Sequence, residues 1–521
     1  MRFRTLSWSD WVSEEGFRIL ETELLPGYLP LCRWFGGKSR SISTISLIEC
    51  IEAPNGSEWA IFLFKVEYVG GEGETYLLPL ARVIGPLAKA IQLEAPAAVL
   101  AEWIDSEADT LLVEAVYAPD FQMKFLELIA FKDRWLGRYG AMIGDVGKED
   151  AGINSLFQTK TDSFAGSHVL KAEQSNTSLI YPGRIFLKLL RRLEDGENLE
   201  LETLRFLNEK TAFRGVPKFV GSVKYQGESG TNYSLAIAEG LVPAERNAWE
   251  KTLQLAQGYL NRLSENPRNI QVADPTLEFA QLLGMRTAEM HLALASNSEM
   301  AAFEPEAFTL DYQKDLAERM QIQTGLALDN LRKNLPTMAE NRRGVAEQVL
   351  ASRQKLMDAF IGLKESLIST VKIRVHGDYH LGQVLDTGQD IVILDFEGEP
   401  ARTLAERKVK QSPWRDVAGM IRSFHYAIHS AWPESIQAGS EVRKTLEPWA
   451  ENWFMAMKAA FLETYLKTSW AAAFVPTPSE QSILLKAFLM EKAAYELNYE
   501  LNNRPDWVHI PLLGILSLLT A

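Results

Sequence analysis

The pattern of apolar positions divides the chain, near Pro243, into a strand-rich first part and a helix-rich second part. Before Pro243, short runs of β-branched and aromatic residues are separated by turn dipeptides such as Asn-Gly and Gly-Gly, which is typical of strands. The predicted strands are Ile45–Ile51, Trp59–Tyr68, Glu74–Val83, Leu111–Tyr117, His168–Ala172, Thr177–Tyr181 and Arg184–Leu190. Two helices, at Trp11–Leu24 and Phe121–Phe131, are predicted among them.

Beyond Pro243 the apolar residues recur with the 3.6-residue period of amphipathic helices, most clearly at 277–295, 347–367 and 453–466. One segment interrupts this pattern. The apolar runs Val384–Leu385 and Ile391–Leu394 flank the turn Asp386-Thr387-Gly388, which predicts a β-hairpin. Strands first, helices later and one hairpin within the helical part predict an α+β, two-lobed protein-kinase-like fold.

Composition narrows the class of protein. The chain has 521 residues, 46% of them hydrophobic and 23% charged, as in an ordinary globular protein of two or three domains. A net charge of −14 argues against nonspecific binding to nucleic acid. There is no apolar run long enough for a membrane span and no secretory signal at the N-terminus. We therefore expect a cytoplasmic protein, in which Cys32 and Cys50 are reduced thiols.

The predicted hairpin brings two acidic residues to one edge of a small sheet. Asp378 lies in the loop before the hairpin, and Asp395 follows its second strand. Phosphoryl transfer needs one carboxylate on the attacking hydroxyl and another on the metal that holds the phosphates. The stretch 373–400 therefore predicts a kinase with Asp378 as the catalytic base and Asp395 as a ligand of Mg²⁺.

A lysine on a predicted strand is the candidate for the nucleotide side. Lys188 lies between apolar residues, where it is either an edge-strand charge or the amine that holds the α- and β-phosphates. Glu200 and Glu202 follow on a predicted helix that begins near Asn198. A strand lysine with a helix glutamate matches the ion pair that fixes this lysine in kinases.

The C-terminal part contains a candidate sugar surface. At 100° per residue, a helix places the following residues of 491–507 on one stripe: Glu491, Tyr495, Asn498, Tyr499 and Asn502. Aromatic faces stack on the C–H surface of sugars, while carboxylates and amides bind paired hydroxyls. Tyrosines packed between two helices are the alternative interpretation.

Several of these segments resemble a known family. HGDYHLGQVL at 376–385, followed by DFEGEP at 395–400, resembles maltokinase, a bacterial branch of the aminoglycoside phosphotransferase-like kinases that includes kinase modules fused to trehalose synthase. The resemblance continues at PGYLPLCRWFGGKSR (26–40), EQSNTSLI (173–180), MRTAEMHLALA (285–295) and EKAAYELNYELNNRPDWVHIPL (491–512). It implies an N-terminal maltokinase-type cap at 1–105, an intermediate nucleotide-side domain at 106–240 and a helical C-terminal lobe at 241–521.

The resemblance also implies roles for individual residues. Alignment on the Arg-Phe-Leu that follows favours Glu202 over Glu200 as the partner of Lys188. Gln383 stands where related kinases have a metal-binding asparagine, and Asp416 would brace the catalytic loop through its backbone. The implied phosphate-covering loop is Ser175, Asn176, Thr177 and Ser178. The implied sugar-binding residues are His380, Lys492, Tyr495, Glu496, Tyr499, Arg504 and Trp507.

The implied reaction is the ATP- and Mg²⁺-dependent phosphorylation of maltose at its anomeric hydroxyl. It would give maltose 1-phosphate and feed α-glucan and glycogen synthesis from trehalose, with trehalose synthase as a candidate partner of a monomer or homodimer. Two alternatives stay open: a kinase of glucosamine or another aminosugar, and a non-catalytic scaffold for trehalose or glucan enzymes.

Overall fold

Two structural units make up the chain, the first Met1–Lys210 with Pro217–Val242 and the second Thr211–Val216 with Pro243–Ala521. The computed structural model describes residues 2–3, 7–103, 109–148, 153, 167–170, 175–182, 185–265, 271–296, 299–400, 402–432 and 441–520. The finer division of the first unit into a cap at 1–105 and an intermediate domain at 106–240 stays a prediction.

Two sheets form most of the first unit. Its described strands are β1 (Arg2–Phe3), β2 (Ile42–Glu52), β3 (Trp59–Tyr68), β4 (Glu74–Ile84), β5 (Val99–Trp103), β6 (Thr110–Glu114), β7 (Arg134–Leu136), β8 (Gly140–Val146), β9 (His168–Val169), β10 (Thr177–Tyr181), β11 (Ile185–Leu189), β12 (Arg192–Leu193), β13 (Phe219–Gly227) and β14 (Asn232–Gly240). One sheet has the order β1-β5-β6-β4-β3-β2, with β12 paired to β4. The other has the order β7-β8-β13-β14-β11-β10-β9.

Both faces of the strands β3, β4 and β6 of the first sheet are largely buried, which explains why these strands are apolar without alternation. On β3, Ile61 and Leu63 belong to an apolar cluster shared with the second sheet, whereas Phe62 and Phe64 belong to a cluster with the N-terminal helices. Helices of this unit are α1 (Trp8–Trp11), α2 (Glu14–Ile19), α3 (Leu25–Tyr28), α4 (Gly85–Glu94), α5 (Pro119–Ala130) and α6 (Leu199–Lys210). The first sheet is thus a central layer between helices and a second sheet.

Most predicted elements of this unit exist with shifted ends. One predicted helix was wrong, because it is interrupted rather than continuous. The predicted helix Trp11–Leu24 is broken, because the Ser13 side chain caps a new helix by accepting the Gly16 N–H. The predicted strand Leu111–Tyr117 ends at Glu114, after which a 3₁₀ turn begins. Residues 171–172 and Arg184, at the ends of two predicted strands, lie outside the described residues.

Helices dominate the second unit, as the 3.6-residue period predicts. They are α7 (Ala248–Glu265), α8 (Asp274–Leu294), α9 (Leu310–Asn334), α10 (Glu340–Ala351), α11 (Arg353–Asp358), α12 (Ile361–Glu365), α13 (Leu404–Arg407), α14 (Trp414–Ser430), α15 (Glu441–Ser469), α16 (Pro478–Asn503) and α17 (His509–Thr520). Five short strands accompany them in the described residues: β15 (Arg246–Asn247), β16 (Glu306–Ala307), β17 (Val371–Lys372), β18 (Val384–Asp386) and β19 (Ile391–Ile393). Within the described ranges, no helix is long and apolar enough to cross a membrane.

The predicted hairpin is present. Strands β18 and β19 pair antiparallel, with Val384 opposite Ile393 and Asp386 opposite Ile391, and β15 adds a third strand. Asp386 is buried and paired with Lys251 at 3.0 Å, so the acidic turn residue is tied to α7. The hairpin thereby has a fixed position among the helices of this unit.

Candidate active site

A buried aspartate on α14, Asp416, holds the loop that carries Asp378. Asp416 accepts the backbone N–H of His376 at 2.8 Å and of Gly377 at 3.0 Å, which is the contact expected of it. His291 on α8 lies 3.1 Å from the same carboxylate. Burial alone would raise the pKa of the Asp416 carboxyl, but the contact with His291 and the backbone N–H of Gly377 hold it below its ordinary value.

His376 is a structural residue of the same loop. Its side chain is buried, and its Nε2 lies 2.8 Å from the Leu394 carbonyl oxygen. Its Nδ1 accepts the backbone N–H of Asp378 at 3.4 Å, so Nε2 carries the proton and donates to Leu394. Both ring nitrogens are occupied by backbone groups, which explains the position of Asp378 and leaves no nitrogen for a metal.

Asp395 has an unusual backbone conformation. Its φ is 63°, in the left-handed region that residues other than glycine and a few polar residues rarely adopt. Such conformations persist where the surrounding structure imposes them, and they are concentrated at functional sites. The conformation turns the chain sharply after β19, at the position predicted for a metal ligand.

The groups around Asp395 fit a hard cation. The Gln383 amide donates to the Asp395 carboxylate at 2.7 Å, so the two predicted ligands are neighbours. A carboxylate oxygen of Glu397 lies within 4.8 Å of one of Asp395. Two carboxylates and one amide oxygen are the donor types that Mg²⁺ takes from proteins.

On the nucleotide side, Lys188 pairs with Glu200 and not with the predicted Glu202. The Lys188 Nζ lies 2.8 Å from Glu200 Oε2, and both side chains are buried. Glu200 shares the inward face of α6 with Leu204 and Leu207, whereas Glu202 lies on a more exposed face. The prediction of Glu202 was wrong because it depended on spacing along the chain and not on the rotation of the helix against the sheet.

The predicted phosphate-side loop differs in exposure from residue to residue. Ser175 is exposed and Asn176 is half-buried, whereas Thr177 and Ser178 are buried at the start of β10. Ser178 lies directly opposite Lys188 across the β10–β11 pair, so the two side chains are on one face of the sheet. The Ser178 hydroxyl is buried without a hydrogen-bond partner among the described residues. Thr177 accepts a hydrogen bond from Arg191 at 2.8 Å.

All seven predicted sugar-binding residues line one cavity of the second unit, together with Asp378. The cavity measures about 550 Å³, within the range of roughly 300–1,000 Å³ that is common for small-ligand sites. Its side-chain lining includes Trp249, Asp378, His380, Ser423, Tyr426, Lys492, Tyr495, Glu496, Tyr499, Glu500, Arg504 and Trp507. Sequence reasoning missed Trp249, Ser423, Tyr426 and Glu500, the first three of which lie on helices outside 491–507.

Aromatic faces and basic groups alternate along one wall of this cavity. The Tyr495 and Tyr499 rings are nearly parallel, with centroids 6.5 Å apart, and both are partly exposed. The Arg504 guanidinium lies 5.3 Å from the Tyr499 ring and 5.1 Å from the Trp507 ring. Lys492 Nζ lies 3.7 Å from the Asp378 carboxylate. The wall therefore offers apolar faces close to the predicted catalytic base.

The stripe predicted on this helix was only partly right. Glu491 is buried and pairs with Arg415 at 3.2 Å, and Asn498 accepts a hydrogen bond from Asn330 of α9 at 2.8 Å. Those contacts lie away from the cavity. The cavity face of α16 is instead built from Lys492, Tyr495, Glu496, Tyr499 and Glu500. The cavity residues form one continuous face of the helix, rotated by about one residue step from the predicted stripe, and spacing along the chain does not fix which face the helix turns to the cavity.

Burial favours the neutral form of His380 at the cavity edge. Burial lowers the pKa of its imidazole, Asp378 opposes this effect, and Lys492 adds to it. Its Nδ1 accepts the Gly382 backbone N–H at 3.0 Å, which leaves Nε2 to carry the proton. A neutral imidazole with a donor N–H can bind a hydroxyl oxygen.

Comparisons with known proteins agree with these features. Residues 28–117 match the family model of the maltokinase N-terminal cap domain. The chain is 22% identical over 367 residues to a glucosamine kinase of Mycolicibacterium smegmatis, covering 70% of this chain and 82% of the relative. It is 26% identical over 294 residues to a glucosamine kinase of Streptacidiphilus jiangxiensis, covering 55% of this chain and 58% of the relative.

A solved structure has the same fold along nearly the whole chain. Glucosamine kinase in complex with glucosamine, ADP and inorganic phosphate has a TM-score of 0.63 at 17% identity, covering 96% of this chain and 99% of its own. The predicted α+β kinase-like fold, with a β-rich N-terminal cap and a mostly helical C-terminal lobe, is confirmed. The chain therefore contains a segment similar to the maltokinase N-terminal cap domain, at residues 28–117, and shares the fold of glucosamine kinase.

Proposed function

We propose that this protein transfers the γ-phosphate of ATP to the anomeric hydroxyl of maltose. The observation that carries the proposal is the cavity beside Asp378, whose wall combines Tyr495, Tyr499 and Trp507 with paired charged groups. Neighbouring aromatic faces suit two sugar rings in succession, since each ring presents an apolar C–H surface. The maltokinase-type cap at 28–117 supports the same choice of sugar.

Asp378 would orient the sugar hydroxyl and accept its proton as the phosphoryl group moves. A carboxylate suits this role, because the transition state is loose and the proton leaves late. Lys492, at 3.7 Å from Asp378, would hold the carboxylate in place and offset its charge next to the incoming phosphate. His380 would donate to a sugar oxygen.

The nucleotide would be held by Lys188, whose amine is directed by Glu200 toward the α- and β-phosphates. Asp395 and Gln383 would hold Mg²⁺, with Glu397 near enough to assist. When bound, the ion neutralises the phosphate oxygens on which charge develops. The left-handed backbone at Asp395 would present its carboxylate at the turn after β19.

The charges in the cavity favour a neutral sugar over an aminosugar. Glu496 pairs with Arg422 at 2.7 Å, and Glu500 pairs with Arg504 at 2.7 Å. An ammonium group is best bound by a carboxylate whose charge is not already balanced. Asp378 faces Lys492, so each carboxylate that lines the cavity has a basic neighbour.

Glucosamine is the second candidate, because the two relatives and the solved structure described above are glucosamine kinases. ATP consumption with maltose, glucose, glucosamine and trehalose side by side distinguishes the candidates. We expect the highest kcat/KM with maltose. A preference for glucosamine would overturn the sugar assignment and leave the kinase intact. No consumption with any sugar would favour a non-catalytic scaffold.

Removing the aromatic wall should weaken sugar binding selectively. We expect Tyr499→Ala and Trp507→Ala each to raise the KM for maltose about tenfold, since each removes an aromatic face against which a sugar ring packs, and burying such a side chain contributes roughly 1.5–3 kcal/mol. The KM for ATP should change little. Trp470→Ala is a matched control, because that side chain is 79% exposed on the surface and does not line the cavity. Equal losses for maltose and ATP would contradict the assignment of this wall.

Replacing each of the two glutamates of α6 in turn by glutamine tests the proposed nucleotide-binding role of Lys188. Glu200→Gln removes the charge that holds Lys188, so the KM for ATP should rise tenfold or more, since hydrogen bonds to charged groups contribute roughly 1.5–3 kcal/mol. Glu202→Gln, two positions away on the more exposed face, should leave it nearly unchanged. If Glu202→Gln has the larger effect, the pairing in the active enzyme differs from the one described.

A further inference from the structure

Arg191, which follows the lysine strand β11, is the centre of a buried polar network in the first unit. Its side chain is only 1% exposed, although it carries a full charge. The guanidinium donates to the Thr177 hydroxyl at 2.8 Å, to the Leu77 carbonyl oxygen at 3.4 Å and to the Glu114 carboxylate. A charge is buried to this degree only when its partners are well placed. Arg191 therefore connects β10, β4 and β6 through one group.

The other end of the network lies in the N-terminal cap segment 26–40. Glu114 accepts the Tyr28 hydroxyl at 2.7 Å and the Trp34 indole N–H at 3.3 Å. The Trp34 ring also lies 4.8 Å from the Arg191 guanidinium, a distance at which cations are attracted to an aromatic face. Burial, and next the charge of Glu114, raise the pKa of Tyr28, so its hydroxyl stays a donor. The cap segment is thus linked to Arg191 through the Glu114 carboxylate, to which Tyr28 and Trp34 donate hydrogen bonds.

Glu114 and Arg191 connect the cap segment to the phosphate-side loop through hydrogen bonds. A cavity of about 330 Å³ lies between them, lined by Trp34, Glu114, Asn176, Thr177 and Arg191 among others. Besides its contact with Thr177, Arg191 donates its backbone N–H to Asn176 Oδ1 at 3.4 Å. Among the described residues, Arg191 thus adds side-chain and backbone hydrogen bonds to the loop beyond the pairing of β10 with β11.

We propose that Arg191 is a positioning residue, through which the cap segment 26–40 holds the phosphate-side loop 175–178 in its nucleotide-binding arrangement. The inference rests on the proposed function in one respect, namely that this loop covers the phosphates. Ser178 lies opposite Lys188 in the β10–β11 pair, so a displacement of Thr177 would move the loop relative to that lysine. The role assigned to the cap is control of nucleotide affinity.

The test is the affinity for Mg-ADP and Mg-ATP, measured by calorimetry on the full-length protein. We expect Arg191→Met, which keeps the length but removes the donors, to weaken binding of both nucleotides about tenfold. Arg191→Lys should restore part of the loss, because it keeps the charge opposite Glu114. Arg192→Met is the matched control: that neighbouring side chain is 40% exposed, contacts Glu74 at 3.5 Å, and should leave nucleotide affinity unchanged.

A second, milder variant tests the same contact in case Arg191→Met does not fold. Thr177→Val removes only the hydroxyl that Arg191 contacts, and should weaken nucleotide binding severalfold. In the double variant with Arg191→Met, the two effects should not add, since they interrupt one contact. Unchanged nucleotide affinity in a folded Arg191→Met protein with a lowered Tm would mean a purely structural role and overturn the proposal. Additive effects would overturn it too.

The sugar provides an independent readout. Where maltose is phosphorylated, Arg191→Met should leave the KM for maltose nearly unchanged, and an equal rise in both KM values would overturn the proposal. Because nucleotide affinity is measured without any sugar, a wrong assignment of maltose would leave the result interpretable. Failure of the sugar assignment and failure of this inference are therefore separate outcomes.

Discussion

Replacing Asp378 by asparagine should lower kcat by at least two orders of magnitude while nucleotide affinity stays nearly unchanged. General-base catalysis by a positioned side chain contributes roughly 10²–10⁴-fold. Asparagine has nearly the same shape and can still bind the sugar hydroxyl, but it cannot accept its proton. The loop geometry should persist, because it is set by the contacts of Asp416 with the backbone of His376 and Gly377.

Steady-state kinetics and calorimetric titration with Mg-ATP on the same preparation test this expectation. Asp329→Asn is a matched control, since that carboxylate is half exposed on α9 and pairs with Arg353 at 2.8 Å. A fall in kcat of less than about tenfold would remove Asp378 from the role of base. A parallel loss of Mg-ATP affinity would instead assign this carboxylate to the nucleotide.

Replacement of Asp395 should abolish activity and also weaken the binding of Mg-ATP. Asp395→Ala removes a charged metal ligand, but it also places alanine at a φ of 63°, where a Cβ without a polar group is strained. Asp395→Asn is the sharper variant, because asparagine tolerates the left-handed conformation and loses only the charge. Both variants should be inactive, and Asp395→Asn should be the more stable of the two.

Titration with Mg-ATP and a Mg²⁺ dependence of turnover distinguish a metal ligand from a structural residue. We expect both variants to require much more Mg²⁺ and to bind Mg-ATP at least tenfold more weakly, because a hydrogen bond or ion contact to a charged group contributes roughly 1.5–3 kcal/mol. Unchanged affinity together with an unchanged Mg²⁺ requirement would place the metal site elsewhere. A large loss of stability in Asp395→Asn would show that the charge mainly maintains the turn.

The catalytic hairpin was the part of the site that local sequence signals predicted best. A turn tripeptide between two apolar runs predicts a hairpin, so the positions of Asp378 before β18 and Asp395 after β19 follow without further information. Prediction of the C-terminal cavity was less complete. The aromatic residues of 491–507 were recognised, but Trp249 and Tyr426 come from helices whose approach no local pattern records.

The sequence by itself determined the order of the elements, the hairpin and the chemical types of the candidate site residues, because strand, turn and helix signals act over a few residues. The tertiary structure alone decided which of two neighbouring glutamates meets Lys188, since that depends on the rotation of α6 against β11. It also decided the left-handed backbone of Asp395 and the pairing of Glu496 with Arg422. The contact of Arg191 with Glu114 joins residues far apart in the chain. Such contacts depend on how whole elements pack, so residue spacing carries no record of them.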